Sequence, residues 1–115
     1  MTYTYSMDTA FKALAEPRRR EILRLVWTDE LPAAQIAAQF ADVTRSAVSQ
    51  HLGVLREAEL VIERRDGTRR LYRANHAQMD RLRHFLDGYW TGSLSRLQDL
   101  AESAERAKGN QPWLN

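Results

Sequence analysis

The sequence predicts a mainly α-helical domain with one small β-hairpin, on three observations. Apolar residues recur at spacings of three and four along most of the chain. One stretch, LVIERRDGTRRLYRA, breaks that rhythm with two short β-branched and aromatic runs around Asp-Gly, and the last striped segment is much longer than the others. The 115 residues, 43% of them apolar, fit one compact domain over 1–115 with a modest core. Cysteine is absent, which excludes disulfides and thiolate metal sites. No apolar run approaches membrane-spanning length, and the start MTYTYSMDTA lacks the basic segment and apolar core of a signal peptide, so a cytoplasmic protein is expected.

Asp8 to Ala15 reads as a short helix with Phe11 and Leu14 on its apolar side. In AEPRRREILRLVW, Pro17 suits a first helical position, where its missing N–H costs nothing, and Ile22, Leu23 and Val26 form an inward stripe. These N-terminal helices occupy 8–27. TDEL reads as a connection, and Pro32 opens a short third helix through Phe40 with Ile36, Ala37 and Phe40 inward. The fourth helix follows Thr44, whose side chain can cap it, while Val43 and Val48 are placed as a hydrophobic staple. Val48, Leu52 and Leu55 make its core face, with His51 to the side of it. Residues 32–59 therefore form a helix-turn-helix whose second helix is held with one face free.

That free face carries Arg45, Ser46, Ser49, Gln50 and Gly53, where an ordinary solvated helix would carry Lys and Glu. Short groups that donate and accept hydrogen bonds suit a surface built to touch something. The hairpin over 60–74 turns at Asp66-Gly67-Thr68, where glycine tolerates positive φ, and Arg64, Arg65, Arg69 and Arg70 flank the turn. Residues 60–75 hold 5 basic groups against 2 acidic ones, whereas 1–59 hold 7 against 8 and 76–115 hold 5 against 5. The small overall charge of +2 is thus concentrated in one footprint, which is a nucleic-acid signal.

Asn75 caps a last helix, and Gln78 completes a capping-box pattern. This helix is expected over 76–105, a length of about 45 Å at 1.5 Å per residue. It is apolar throughout, with Met79, Leu82, Leu86, Tyr89, Trp90, Leu94, Leu97 and Leu100. One small domain cannot cover so much surface, so a dimerisation helix is expected, with Phe11 and Leu14 as the second contribution and 106–115 as a flexible tail. Gly88 and Gly92 inside a helix each cost about 1 kcal/mol relative to Ala, which points to close helix contact or a bend.

Helices, a helix-turn-helix and a basic two-stranded hairpin, in that order, describe a winged helix. The segments FKALAEPRRREIL, TRSAVSQHLGVLREAELV and RRDGTRRLYRA resemble the ArsR/SmtB family of bacterial transcriptional repressors, over nearly the whole chain from Asp8 to about Glu105. The resemblance implies a homodimer that binds an imperfect palindrome in double-stranded operator DNA, often its own operator, and blocks transcription. The residues allow that chemistry: Arg45 can take guanine O6 and N7, Gln50 the adenine edge, and Ser46 and Ser49, beside Thr44, bases or phosphates. Thr68 and the four wing arginines are expected to hold phosphates or reach the adjoining minor groove.

Many members of the resembled family sense metals, and here the pattern departs. The cysteine motif of their third helix is replaced by AAQIAAQF. A second family site uses Asp and His on the last helix, which brings in His76, Asp80 and His84. His76 and His84 lie about 12 Å apart along a helix axis, too far to share one ion without a bend or a second chain. No metal and no cofactor are therefore expected, and a metal-responsive repressor using those residues is the alternative. Catalysis is not expected: Ser49 and His51 point about 200° apart around a helix, and no phosphate loop or carboxylate pair is present. A winged helix that binds only proteins is the other rival, though it would not need the Arg/Ser/Ser/Gln face or the wing arginines. An unknown small-molecule effector could sit beside Tyr89 and Trp90, but such aromatics more often belong to a dimer core.

Overall fold

The computed structural model describes the backbone of residues 2–109 and the side chains of 7–89, 91–92 and 95–107. The elements in order are α1 (Thr2–Leu14), α2 (Pro17–Leu25), β1 (Leu31–Pro32), α3 (Ala33–Ala38), α4 (Arg45–Glu57), β2 (Val61–Asp66), β3 (Arg69–Ala74) and α5 (His76–Gly109). The chain divides into two compact units, Met1–Leu82 and Arg83–Asn115. No described helix is long and apolar enough to cross a membrane. The mainly helical winged helix-turn-helix is the observed architecture.

In the first unit, α1 begins six residues before the expected Asp8. It buries Met7, Ala10 and Ala13, while Phe11 and Leu14 stay half-exposed beside that stripe. Alanines at a spacing of three carry little hydropathy signal, yet they let a neighbouring helix approach closely. The triple arginine that follows is structural. Glu16 caps α2 by accepting from the Arg19 amide at 3.1 Å. Arg19 Nε donates to the Ala13 carbonyl at 2.7 Å and Arg20 donates to that of Leu14 at 2.7 Å, so both close the carbonyl end of α1. Arg18 reaches Asp42 at 2.6 Å and lies over the Phe40 ring, tying α2 to the turn of the helix-turn-helix.

Two elements depart from expectation. Leu31–Pro32 is not connection and helix start but a short edge strand, pairing Leu31 with Tyr72 and Pro32 with Leu71. The expected two-stranded hairpin is therefore a three-stranded antiparallel sheet of order β1-β3-β2. Two residues are too few to show alternation, and proline is tolerated in a strand that lies at an edge. Helix α3 accordingly starts at Ala33 and stops at Ala38, although Ile36 and Phe40 are both buried as expected.

Helix α4 follows its pattern closely. Thr44 Oγ1 accepts from the Ala47 amide at 3.0 Å, and Val48, Leu52 and Leu55 are buried. At its end Glu59 adopts φ 62°, with the Leu60 amide donating to the Leu55 carbonyl and the Glu59 amide to that of Arg56. This is a Schellman stop built on glutamate where glycine is usual. The Cβ in the left-handed region costs about 1 kcal/mol or more. Glu59→Gly is therefore expected to raise stability by about 1 kcal/mol, and an unchanged or lower melting temperature in calorimetry would contradict that strain.

The Asn75 side chain accepts from the Gln78 amide at 3.4 Å and donates to the Glu59 carbonyl at 2.9 Å, joining the start of α5 to the end of α4. Gln78 is buried and donates to the Ala58 carbonyl at 3.2 Å, a use that the capping-box pattern does not announce. Leu82, expected at a dimer interface, is 3% exposed in the core of its own unit. Where a helix stripe divides between a chain's own core and a partner depends on how the helix is docked, which periodicity alone does not carry. Helix α5 continues to Gly109, so residues 106–109 of the expected tail are helical, while 110–115 lie outside the described residues.

Candidate nucleic-acid interface

Thr44, Arg45, Ser46, Ser49 and Gln50 are all exposed on α4, and the residues between them turn inward. The helix thus presents one polar face from a rigid mount whose other face is anchored in the core. His51 points toward α2 instead, accepting at Nδ1 from Arg19 at 3.4 Å, with Nε2 3.9 Å from the Glu16 carboxylate. An added Cβ at Gly53 would meet nothing within 4 Å. Between α3 and α4 lies a cavity of about 230 Å³, floored by Ala33, Ala37, Val48 and Leu52 and rimmed by Arg45, Ser46 and Ser49.

The wing is a tight hairpin in which Gly67, at φ 64°, and Thr68 form a two-residue turn closed by Asp66 and Arg69. Positive φ only at the first of these positions matches a type II′ turn, whose hand suits the twist of the strands. Arg65 stands directly across from Arg70, and Asp66 across from Arg69, which it holds at 3.2 Å. Arg45, Thr68, Arg69 and Arg70 converge on a second cleft of about 300 Å³ beside residues 32–34. Among the described residues, no hydrogen bond or ion pair engages Arg45, Arg65 or Arg70.

Arg64 differs from the other wing arginines in having a carboxylate partner from outside the hairpin. Its guanidinium grips Glu30 in a two-pronged bond, Nε at 3.0 Å and Nη2 at 2.6 Å. The hydrogen bond from Arg64 holds the Glu30 carboxyl below its ordinary range. Arg64 therefore braces the sheet from one side. On the other side, Glu63 Oε2 accepts from Arg56 of α4 at 2.8 Å and from the Tyr72 hydroxyl at 3.1 Å. Burial pushes the Glu63 carboxyl up, but these two donors outweigh it and leave it below the ordinary range. Tyr72 is raised, first by burial and then by its bond to that carboxylate.

Sequence reading missed Glu30, Arg56, Glu63 and Tyr72 as the supports of the wing. One signal was present: Glu63 follows Val61 in the inward phase of β2, and a charge in an apolar phase implies a partner. On the last helix, Nε2 of His76 donates to the Trp27 carbonyl at 2.7 Å and its ring stacks on Trp27, so that nitrogen is engaged. Asp80 and His84 are exposed. In the second unit Leu86, Tyr89, Leu97 and Leu100 are exposed, whereas the side chains of Trp90 and Leu94 lie outside the described residues.

A Helix-turn-helix domain family matches residues 14–64. The HTH-type transcriptional regulator Rv2034 of Mycobacterium tuberculosis is 40% identical over 98 residues, 85% of this chain and 91% of its own. The Arsenical resistance operon repressor of Staphylococcus xylosus is 33% identical over 81 residues, 70% of this chain and 77% of its own. The chain belongs to the ArsR family of transcriptional regulators. Among solved structures, the homodimeric winged helix-turn-helix DNA-binding domain of a possible ArsR-family transcriptional regulator from Mycobacterium bovis superposes with a TM-score of 0.62 at 29% identity, covering 81% of this chain and 85% of that one. As an ArsR-family winged helix, the protein is a DNA-binding transcriptional regulator, and α4 stands in the place of its recognition helix.

Proposed function

We propose that the protein is a repressor that binds a pseudo-palindromic operator as a homodimer, with α4 in the major groove and the wing over the neighbouring backbone. The observation that carries this reading is the exposed Ser46, Ser49 and Gln50 face on a helix whose opposite side is buried at Val48, Leu52 and Leu55. Short polar side chains let the helix sit close to the groove floor, where Gln50 can meet an adenine edge. Arg65, Arg69 and Arg70 supply positive charge to the phosphates, and Thr68 offers a hydroxyl. A two-fold dimer puts its recognition helices in successive major grooves, so the half-sites lie about one helical turn apart or a multiple of it.

The dimer seam is read as α5 together with Phe11 and Leu14. Its support is the exposed row Leu86, Tyr89, Leu97 and Leu100, and the homodimeric state named for the Mycobacterium bovis relative. The shallow cleft at Phe85, Gly88 and Tyr89, about 220 Å³, belongs to that seam in this reading. Neither metal response nor enzymatic activity forms part of the proposal, and the cytoplasm is the compartment in which it would act. Footprinting on genomic fragments tests the function directly. Gln50→Ala is expected to weaken the footprinted site by about 1 to 3 kcal/mol while leaving arbitrary DNA unaffected. Equal loss on both would remove base reading from Gln50, and no footprint at all would remove the function.

A further inference from the structure

The cleft beside residues 32–34 is lined by residues from separate parts of the chain. Arg45 is the first residue of α4, Thr68 sits in the wing turn, and Arg69 and Arg70 open β3. No carboxylate lines it. Arg69 is partly neutralised by Asp66 at 3.2 Å, and Arg70 lies in the field of Glu63 but also faces Arg65 across the sheet, where like charges placed opposite one another are eased by a further anion. The N-terminal end of the 13-residue α4 adds positive potential from its backbone. At about 300 Å³, the cleft has room for a phosphodiester group and ordered water.

The geometry points to a different task for Arg45 from the guanine contact expected of it. We propose that this cleft seats one backbone phosphate of the DNA, and that Arg45 and Arg70 share it as ligands from helix and wing. The proposal rests on the DNA-binding reading above and refines it. Arg45 shares the cleft with wing residues, whereas Gln50, one turn further along α4, borders neither cleft nor cavity. A shared phosphate would also fix the distance between the recognition helix and the wing on the DNA, because a single anion serves both. Guanidinium groups suit such a seat, since their planar donors match phosphate oxygens.

The test uses the full chain and a short synthetic duplex of arbitrary sequence, with affinity followed by fluorescence anisotropy across a salt series. Arg45→Ala and Arg70→Ala should each weaken binding to this duplex, and the Arg45→Ala/Arg70→Ala double variant should lower the slope of log K against log salt by about 1.8, the value for one phosphate on each protomer of the dimer. Arg45→Lys should keep most of the affinity, because an ammonium still satisfies a phosphate but cannot take a guanine edge bidentately. A slope loss of about 3.6 in the double variant would mean two separate phosphates on each protomer and would overturn the sharing. Unchanged affinity and slope in Arg45→Ala, with wild-type protein binding well, would return Arg45 to base reading and defeat this proposal alone. Failure of the wild-type protein to bind any duplex would defeat the DNA-binding reading and this proposal with it. All four variants alter exposed side chains, and circular dichroism verifies that each is folded.

Discussion

Leu97→Asp is expected to split the proposed dimer and to abolish operator binding at concentrations where the wild-type protein is fully bound. Leu97 is 59% exposed in a single chain, and Leu100 and Tyr89 are 63% and 65% exposed on the same helix. A row of large apolar side chains left in water is a strong incentive to associate. In a two-fold seam each substitution counts twice, so two leucines are lost, each worth about 1.5 to 3 kcal/mol when fully buried. Two carboxylates are also brought into one apolar seam, which adds repulsion and desolvation. The dissociation constant should rise by at least two powers of ten, on the order of 3 kcal/mol. Analytical ultracentrifugation measures this directly. A wild-type protein that sediments as a folded monomer at micromolar concentration would end the dimer reading, and the palindromic operator would lose its counterpart in the protein.

Glu63→Gln is the second large effect, and it acts on the wing from within. The substitution keeps the shape but removes the charge that Arg56 and Tyr72 share, at a side chain only 17% exposed. A hydrogen bond to a charged group is worth about 1.5 to 3 kcal/mol, and the half-exposed Arg56 argues for the lower end. The pH dependence supplies the internal control. Because the folded carboxyl titrates below its ordinary value of 4.5, its contribution is present in full above that value and is lost as pH falls through the lowered one. The stability gap between wild-type and variant should therefore be widest near neutrality and close in acid. Urea titrations at several pH values test it; a gap of constant size would assign the loss to packing. DNA binding should weaken as well, since the wing would no longer be held to α4.

The parts of this molecule legible in its sequence were those whose signals are local. Val48, Leu52 and Leu55 repeat within a single helix, Thr44 sits at its start, and Asp66-Gly67 marks a turn, so helix, cap and wing were all readable from short windows. Assignments that depend on distant partners were not. Nothing around Arg64 distinguishes it from Arg65, and only Glu30, 34 residues away, gives it a different task. Leu82 continues the same stripe as Leu86, yet one is buried in its own unit and the other is exposed. The inward face of α1 was hidden for another reason: Ala10 and Ala13 are buried by fit rather than by hydropathy.

The edge strand β1 has a bearing on solubility. A sheet with open edges is a template on which other chains can add strands, and a DNA-binding regulator that must stay dispersed cannot tolerate such growth. On one side of this sheet the edge is only two residues long and ends in Pro32, which has no N–H to offer an incoming strand. On the other side β2 presents Glu63, Arg64, Arg65 and Asp66 in succession, a run of charges that an apolar strand cannot match. Both borders thereby resist fibril-like extension. In the proposed dimer, self-recognition is left to the helices, where symmetry ends it at two copies.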